Sequence, residues 1–219
     1  MYEIETTHWW FRSLHELVIR SFANHHKGSP SILDAGCGTG RLMVQMQNLG
    51  EITGFDFRET ALSYCKKRKL NNIRKTDLNI WKPIENEFDF IVSLDVVSDK
   101  GIKDDKQLLK KFHRSLKPGG KLILHLPAFP ILKRSHDNAA TIRKRYLKDG
   151  IVELAKEIGF SNIQAQYRLS FAFPLFFLSR LYESMFRNHE KEKSDLFALP
   201  SFVNNFLLGL SRLENSLIC

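Results

Sequence analysis

Residues Ile32 to Gly40 read Ile-Leu-Asp-Ala-Gly-Cys-Gly-Thr-Gly, and Gly54-Phe55-Asp56 follows. A short apolar run enters a glycine-rich turn, a helix-like segment follows, and a second apolar run ends on a carboxylate. That order predicts one βαβ unit that recognises a nucleoside. Gly36, Gly38 and Gly40 lack Cβ atoms, so the backbone there can turn sharply and approach a ligand closely. From Gly36 to Asp56 is 20 positions, close to the roughly 20 expected of an acid that accepts from both ribose hydroxyls. The glycine spacing is Gly-x-Gly-x-Gly, and Arg41 stands where a dinucleotide fingerprint needs its last glycine. Asp34, just before the turn, would repel a pyrophosphate and suits a cationic ligand. The competing reading is a tight turn of purely structural use.

Periodicity extends the unit into a repeating pattern. Trp10, Leu14, Leu17, Val18 and Phe22 approach helical spacing and predict an amphipathic helix over 9–22, stopped by Lys27-Gly28-Ser29-Pro30. Further helices are expected at 42–49, 59–69, 106–116 and 148–158. Strands are expected at 52–56, 72–75, 88–94, 121–126 and 160–169. Strands alternating with helices imply an α/β fold, a doubly wound, mostly parallel sheet with helices on both faces. Ligands of such sheets bind beyond the carboxyl ends of the strands, where Gly36, Asp56, Asp77 and Asp95 all fall. No seventh strand is evident. The chain divides into an N-terminal helical segment (1–30), an α/β core (31–170) and an apolar helical appendage (171–219).

These segments together resemble the class I S-adenosylmethionine-dependent methyltransferases. Ile32 to Gly40 is similar to the first motif of that family, and Asp56 falls where its ribose-binding acid lies. Thr76-Asp77-Leu78 resembles the segment that brackets the adenine, Phe88 to Asp95 the fourth-strand motif, and Leu116 to Leu122 the turn into the fifth strand. The resemblance covers about residues 30–126. It implies a Rossmann-like methyltransferase fold and S-adenosylmethionine as cofactor, with S-adenosylhomocysteine as product. It further implies a cofactor site built from Asp34, Ala35, Gly36, Cys37, Gly38, Gly40, Asp56, Phe57, Asp77, Leu78, Leu94 and Asp95. An N-terminal helix that closes over the cofactor is common in similar enzymes, which makes His8-Trp9-Trp10-Phe11-Arg12 a candidate lid. Trp10 would then offer a ring face to the sulfonium and Arg12 would meet the methionyl carboxylate. The alternative is a helix packing its aromatics into the core.

In this family the substrate nucleophile attacks the methyl group directly, so the site mostly positions reactants; proximity and orientation supply roughly 7 to 11 kcal/mol. A general base is needed only for a hydroxyl or protonated amine. His125 and His136 are the candidates, with His136, Arg145 and Tyr146 as candidate acceptor contacts and a solvated basic loop as the competing reading of 127–148. Asp95 is followed by Val96-Val97-Ser98-Asp99, without the Glu-His or His-His pair that many small-molecule relatives carry. The absence of Asn-Pro-Pro-Tyr and Pro-Cys segments argues against nucleobase methylation. The layout is similar to bacterial methyltransferases met beside glycan-assembly enzymes, which implies a small acceptor with an oxygen or nitrogen nucleophile, possible forms being a sugar or a lipid-linked molecule. An NAD(P)-dependent oxidoreductase and a non-catalytic basic interaction module are the rival readings.

A formal charge of +9 points to anionic partners or to a solvated basic surface. Cys37, Cys65 and Cys219 are dispersed, so neither a disulfide framework nor a metal site is expected. The polar, acidic Tyr2–Thr7 gives no signal-peptide pattern, and a cytoplasmic protein is the expectation. The aromatic runs in 171–219 are too short and interrupted to span a bilayer. With Arg168, Arg180, Arg187, Lys191 and Lys193 nearby, they form a cap over the cleft, a peripheral membrane face or a dimer surface, leaving monomer and homodimer open.

Overall fold

A computed structural model describes residues 2–23, 28–133, 135–186 and 199–218. Lys27, Arg187, Lys191, Lys193 and Cys219 lie outside the described residues. The elements run α1 (Trp9–Ala23), β1 (Ser31–Ala35), α2 (Arg41–Met46), β2 (Glu51–Asp56), α3 (Glu59–Lys67), β3 (Ile73–Lys75), β4 (Phe88–Leu94), α4 (Asp105–Ser115) and β5 (Leu116–His125). After them come α5 (Ser135–Ala139), α6 (Lys148–Ile158), α7 (Phe173–Phe186) and α8 (Ser201–Ile218).

The five strands are all parallel, in the order β3-β2-β1-β4-β5. The winding reverses between β1 and β4, so a crevice opens beyond their carboxyl ends. Strand alternation feeds two cores. Ile32 and Val92 point to the side of Leu14, Phe22, Met43 and Met46, while Leu33 and Ile91 point to that of Leu109 and Phe112.

Two expectations need correction. Residues 160–169 form no strand: the segment makes no ladder, Asn162 takes a left-handed φ of 52°, and β5 is left as a sheet edge among the described residues. The loop 127–148 is more ordered than its sequence suggests. It holds a 3-10 turn at Pro130–Leu132 and the short α5, and bridges pair Asp99 with Ile142 and Ala128 with Tyr146.

The C-terminal helices do not lie on the sheet. α8 packs along α1, where Asn204 Oδ1 accepts from the Trp9 amide at 2.9 Å and Asn215 Nδ2 donates to the Ser13 carbonyl at 2.9 Å. Trp9, Leu169, Ala172 and Leu208 form a third cluster there, joined by Phe176 of α7. The first and last helices thus share one layer.

Candidate cofactor and acceptor site

The glycine turn is pinned to the end of β2, because the amides of Gly36 and Cys37 both donate to the Phe55 carbonyl at 2.7 and 2.8 Å. Gly36 has a φ of 89°, and a Cβ there would stand 2.2 Å from Val96 Cγ2. Gly38 differs: at a φ of 53° its missing Cβ would meet nothing within 4 Å, so the turn presents bare backbone to open space. Its amide donates to Asp56 Oδ2 at 3.0 Å, and the Arg58 amide donates to Oδ1 at 2.8 Å. Two backbone donors therefore orient the buried Asp56, and each oxygen keeps a lone pair for a further donor.

Asp34 lies behind the turn, almost wholly buried, and its Oδ2 has no hydrogen-bond partner. Burial, reinforced by the Asp56 carboxylate, pushes its pKa up to about 7. An orphaned buried acid is relieved by a cation placed beside it. The residues thus fit S-adenosylmethionine, with Asp34 toward its cationic end and Asp56 toward the ribose hydroxyls.

The remaining predicted residues divide. Phe57 is exposed, its ring edge near the position a Gly101 side chain would take; the Gly101 carbonyl accepts from Asn79, whose amide and side chain both bond Asp77 Oδ1 at 2.8 Å. Phe57 and Asp77 are thereby brought to one end of the crevice. Leu78 turns its side chain into the core, as does Ala35. The Cys37 side chain packs into the opposite core, and a hydrogen bond with the free thiol of Cys65, together with burial, pushes its pKa up. A Cβ on Gly40 would meet Leu70 Cδ1 at 2.4 Å and Cys65 Sγ at 2.9 Å, so that glycine serves packing against α3.

Across the crevice, β4 and β5 end in register with Leu94 opposite His125. His125 Nδ1 lies 2.9 Å from Asp95 Oδ1. An ionised carboxylate only accepts, so Nδ1 donates to it and Nε2 becomes the basic nitrogen. The rings of His125 and Trp10 meet edge-on with centroids 6.1 Å apart, and the Arg168 guanidinium lies over the Trp10 ring, 5.8 Å from its centroid. Burial lowers Arg168 to about 10, with Glu214 and Asp95 opposing the shift. Leu94, Asp95, His125, Trp10 and Arg168 line part of a broad, open cleft that continues to α7.

The basic loop serves the framework more than its sequence implies. Arg145 makes a bidentate bond to buried Asp137, both N–O distances being 2.7 Å, and Tyr146 donates to Asp105 at 2.6 Å. Both side chains are thereby engaged within the protein, although they border the cleft together with His136. Arg12 acts on Glu16, one turn further along α1. One feature escaped sequence reasoning altogether. Glu5 accepts from Thr39 Oγ1 of the glycine turn and from Arg68, whose Nε also donates to the Thr39 carbonyl at 3.0 Å. Tyr2 stacks on Tyr64 at 4.5 Å, so the residues before α1 strap the turn to α3. A lone Glu among polar residues carries no signal of this.

Sheet order, glycine turn and paired acids together define a class I S-adenosylmethionine-dependent methyltransferase fold, the class whose cofactor is S-adenosylmethionine. Residues 33–124 match the family model described as a methyltransferase domain. The oxidoreductase reading is set aside accordingly. The ubiquinone biosynthesis O-methyltransferase of Idiomarina loihiensis is 30% identical over 132 residues, 52% of this chain and 53% of that protein. Phosphoethanolamine N-methyltransferase 2 of Caenorhabditis elegans is 26% identical over 161 residues, 68% of this chain and 36% of that protein. The chain thus spans about half and about a third of these two relatives. Among solved structures, an S-adenosylmethionine-dependent methyltransferase from Mesorhizobium loti aligns with a TM-score of 0.58 at 16% identity, covering 77% of this chain and 92% of that one.

Proposed function

We propose that this protein transfers a methyl group from S-adenosylmethionine to an oxygen or nitrogen of a small-molecule acceptor held in the cleft beside Asp95 and His125. The cofactor supplies an electrophilic methyl group on a sulfonium. Asp56 and the Gly38 backbone hold its ribose side, Asp34 balances its positive charge, and Phe57 with Asp77 flank its far end. The observation that carries the acceptor side is the Asp95–His125 pair at the ends of adjacent strands. Asp95 fixes the imidazole, and Nε2 takes the proton that the nucleophile gives up. The names of the relatives, a ubiquinone biosynthesis O-methyltransferase and a phosphoethanolamine N-methyltransferase, support a small acceptor.

The test is an acceptor panel of phenols, catechols and primary amines, read as S-adenosylhomocysteine formed, with His125→Asn beside the wild type. General-base removal costs about 100-fold or more in kcat. S-adenosylhomocysteine affinity should hold. A variant within about threefold of wild type, against that expected loss, would remove His125 from the chemistry. Cofactor binding without methylation of any acceptor would leave a binding module.

A further inference from the structure

α8 is amphipathic the wrong way round. Its face toward α1 carries Leu208, Ser211 and Asn215, two of them polar. Its outward face carries Phe202, Phe206, Leu213 and Leu217, exposed by 76, 64, 65 and 81%. Their spacing of four, seven and four residues makes one stripe of a helix. α7 repeats the theme, with Leu175, Leu178 and Leu181 exposed by 67, 62 and 42% on successive turns. Apolar stripes of this size turned to water mark an interaction surface.

We infer that these stripes dock on an anionic lipid surface, and that the acceptor is an amphiphile drawn from it; the second half rests on the methyl-transfer reading above. Charge selects the occupant. Beside α8, the guanidinium groups of Arg12, Arg20 and Arg212 all act on the single carboxylate of Glu16, leaving an excess of positive charge. Lys133 and Lys148 are exposed next to the apolar tips Ile131 and Leu147, the first pair on the loop whose 3-10 turn α7 contacts. Two copies of a chain with a formal charge of +9 would bring like charge to like, whereas acidic headgroups complement it. The cleft supplies a second argument. Leu175 and Phe176 of α7 line it as well, so a second copy seated on α7 would cover that end, while a lipid surface would feed it. No helix of the described residues is long and apolar enough to cross a membrane, and amphipathic stripes of this kind bind in the interfacial mode.

The experiment is co-sedimentation of the full chain with phosphatidylcholine vesicles, with and without phosphatidylglycerol, at low and high salt. Phe202→Ser/Phe206→Ser and Leu178→Ser/Leu181→Ser variants run alongside. The wild type should bind the anionic vesicles, lose affinity as salt rises, and lose roughly tenfold or more in either double variant. These positions face solvent, and unchanged S-adenosylhomocysteine binding certifies the variants' fold. Vesicle binding that the variants leave intact overturns the inference. So does a wild-type dimer in light scattering that the variants split while vesicles go unbound, because the occupant is then a second copy. Vesicle binding with no methyl transfer to any acceptor supports the docking surface and defeats the functional reading instead.

Discussion

Replacing Asp34 by asparagine keeps the shape of the side chain and removes its charge, so it isolates the cost of a carboxylate at the end of β1. The folded pKa of about 7 lies above the ordinary 3.8. A native state that holds a proton the unfolded chain has released is favoured by acid. This contribution to stability is full at low pH and is lost as pH rises from 3.8 through about 7. Linkage between those two values puts the penalty at about 2 kcal/mol at pH 5 and about 4 kcal/mol at pH 8. The wild type should therefore lose about 2 to 3 kcal/mol more than Asp34→Asn across that range, read by urea unfolding at each pH. Ligand binding should show the mirror image. A cationic ligand selects the ionised carboxylate, so S-adenosylmethionine affinity should fall by up to about tenfold per pH unit below 7, and its binding should release a proton. Both effects should disappear in Asp34→Asn. Wild-type and variant stabilities that run parallel with pH would refute the assignment of the proton to Asp34.

The strap over the glycine turn predicts that Glu5→Ala, which strands the largely buried Arg68 without its carboxylate, costs about 2 kcal/mol or more and weakens S-adenosylhomocysteine binding in calorimetry. Asp137→Asn breaks the bidentate grip on Arg145 at a carboxylate only 1% exposed, so thermal unfolding should register a loss of about 3 kcal/mol. Its effect on acceptor KM should exceed that on cofactor affinity, because the loop borders the acceptor end of the cleft.

Much of the cofactor half was legible from local pattern. The glycine turn, Asp34 and Asp56 lie within one βαβ unit, where spacing along the chain is spacing in space. The acceptor half was not, because Asp95 and His125 become partners only through the pairing of β4 with β5, which residue types do not announce. A motif position does not say whether the side chain or the backbone faces the ligand: here the Leu78 side chain enters the core, and a side chain on Gly40 would meet α3. Arg145 read as an acceptor contact because its partner, Asp137, is brought to it by a loop with no period. The run 160–169 has strand-like composition but no neighbour to pair with, and propensity without a partner builds no ladder.

The layer shared by α1 and α8 makes the roof of the cleft a lever. α1 reaches the cleft through Trp10, one turn before Ser13, whose carbonyl and hydroxyl are gripped by Asn215 and Arg168. Arg212 of α8 closes a two-pronged bond to Glu16 at 2.8 and 2.6 Å on the same helix. A force that shifts α8 is delivered to α1 through hydrogen bonds rather than through compliant chain, and from Trp10 to His125 through a ring contact. Such coupling free energy acts equally in both directions. Anything that grips α8 therefore leans on the occupancy of the cleft, and an occupied cleft leans back on that grip.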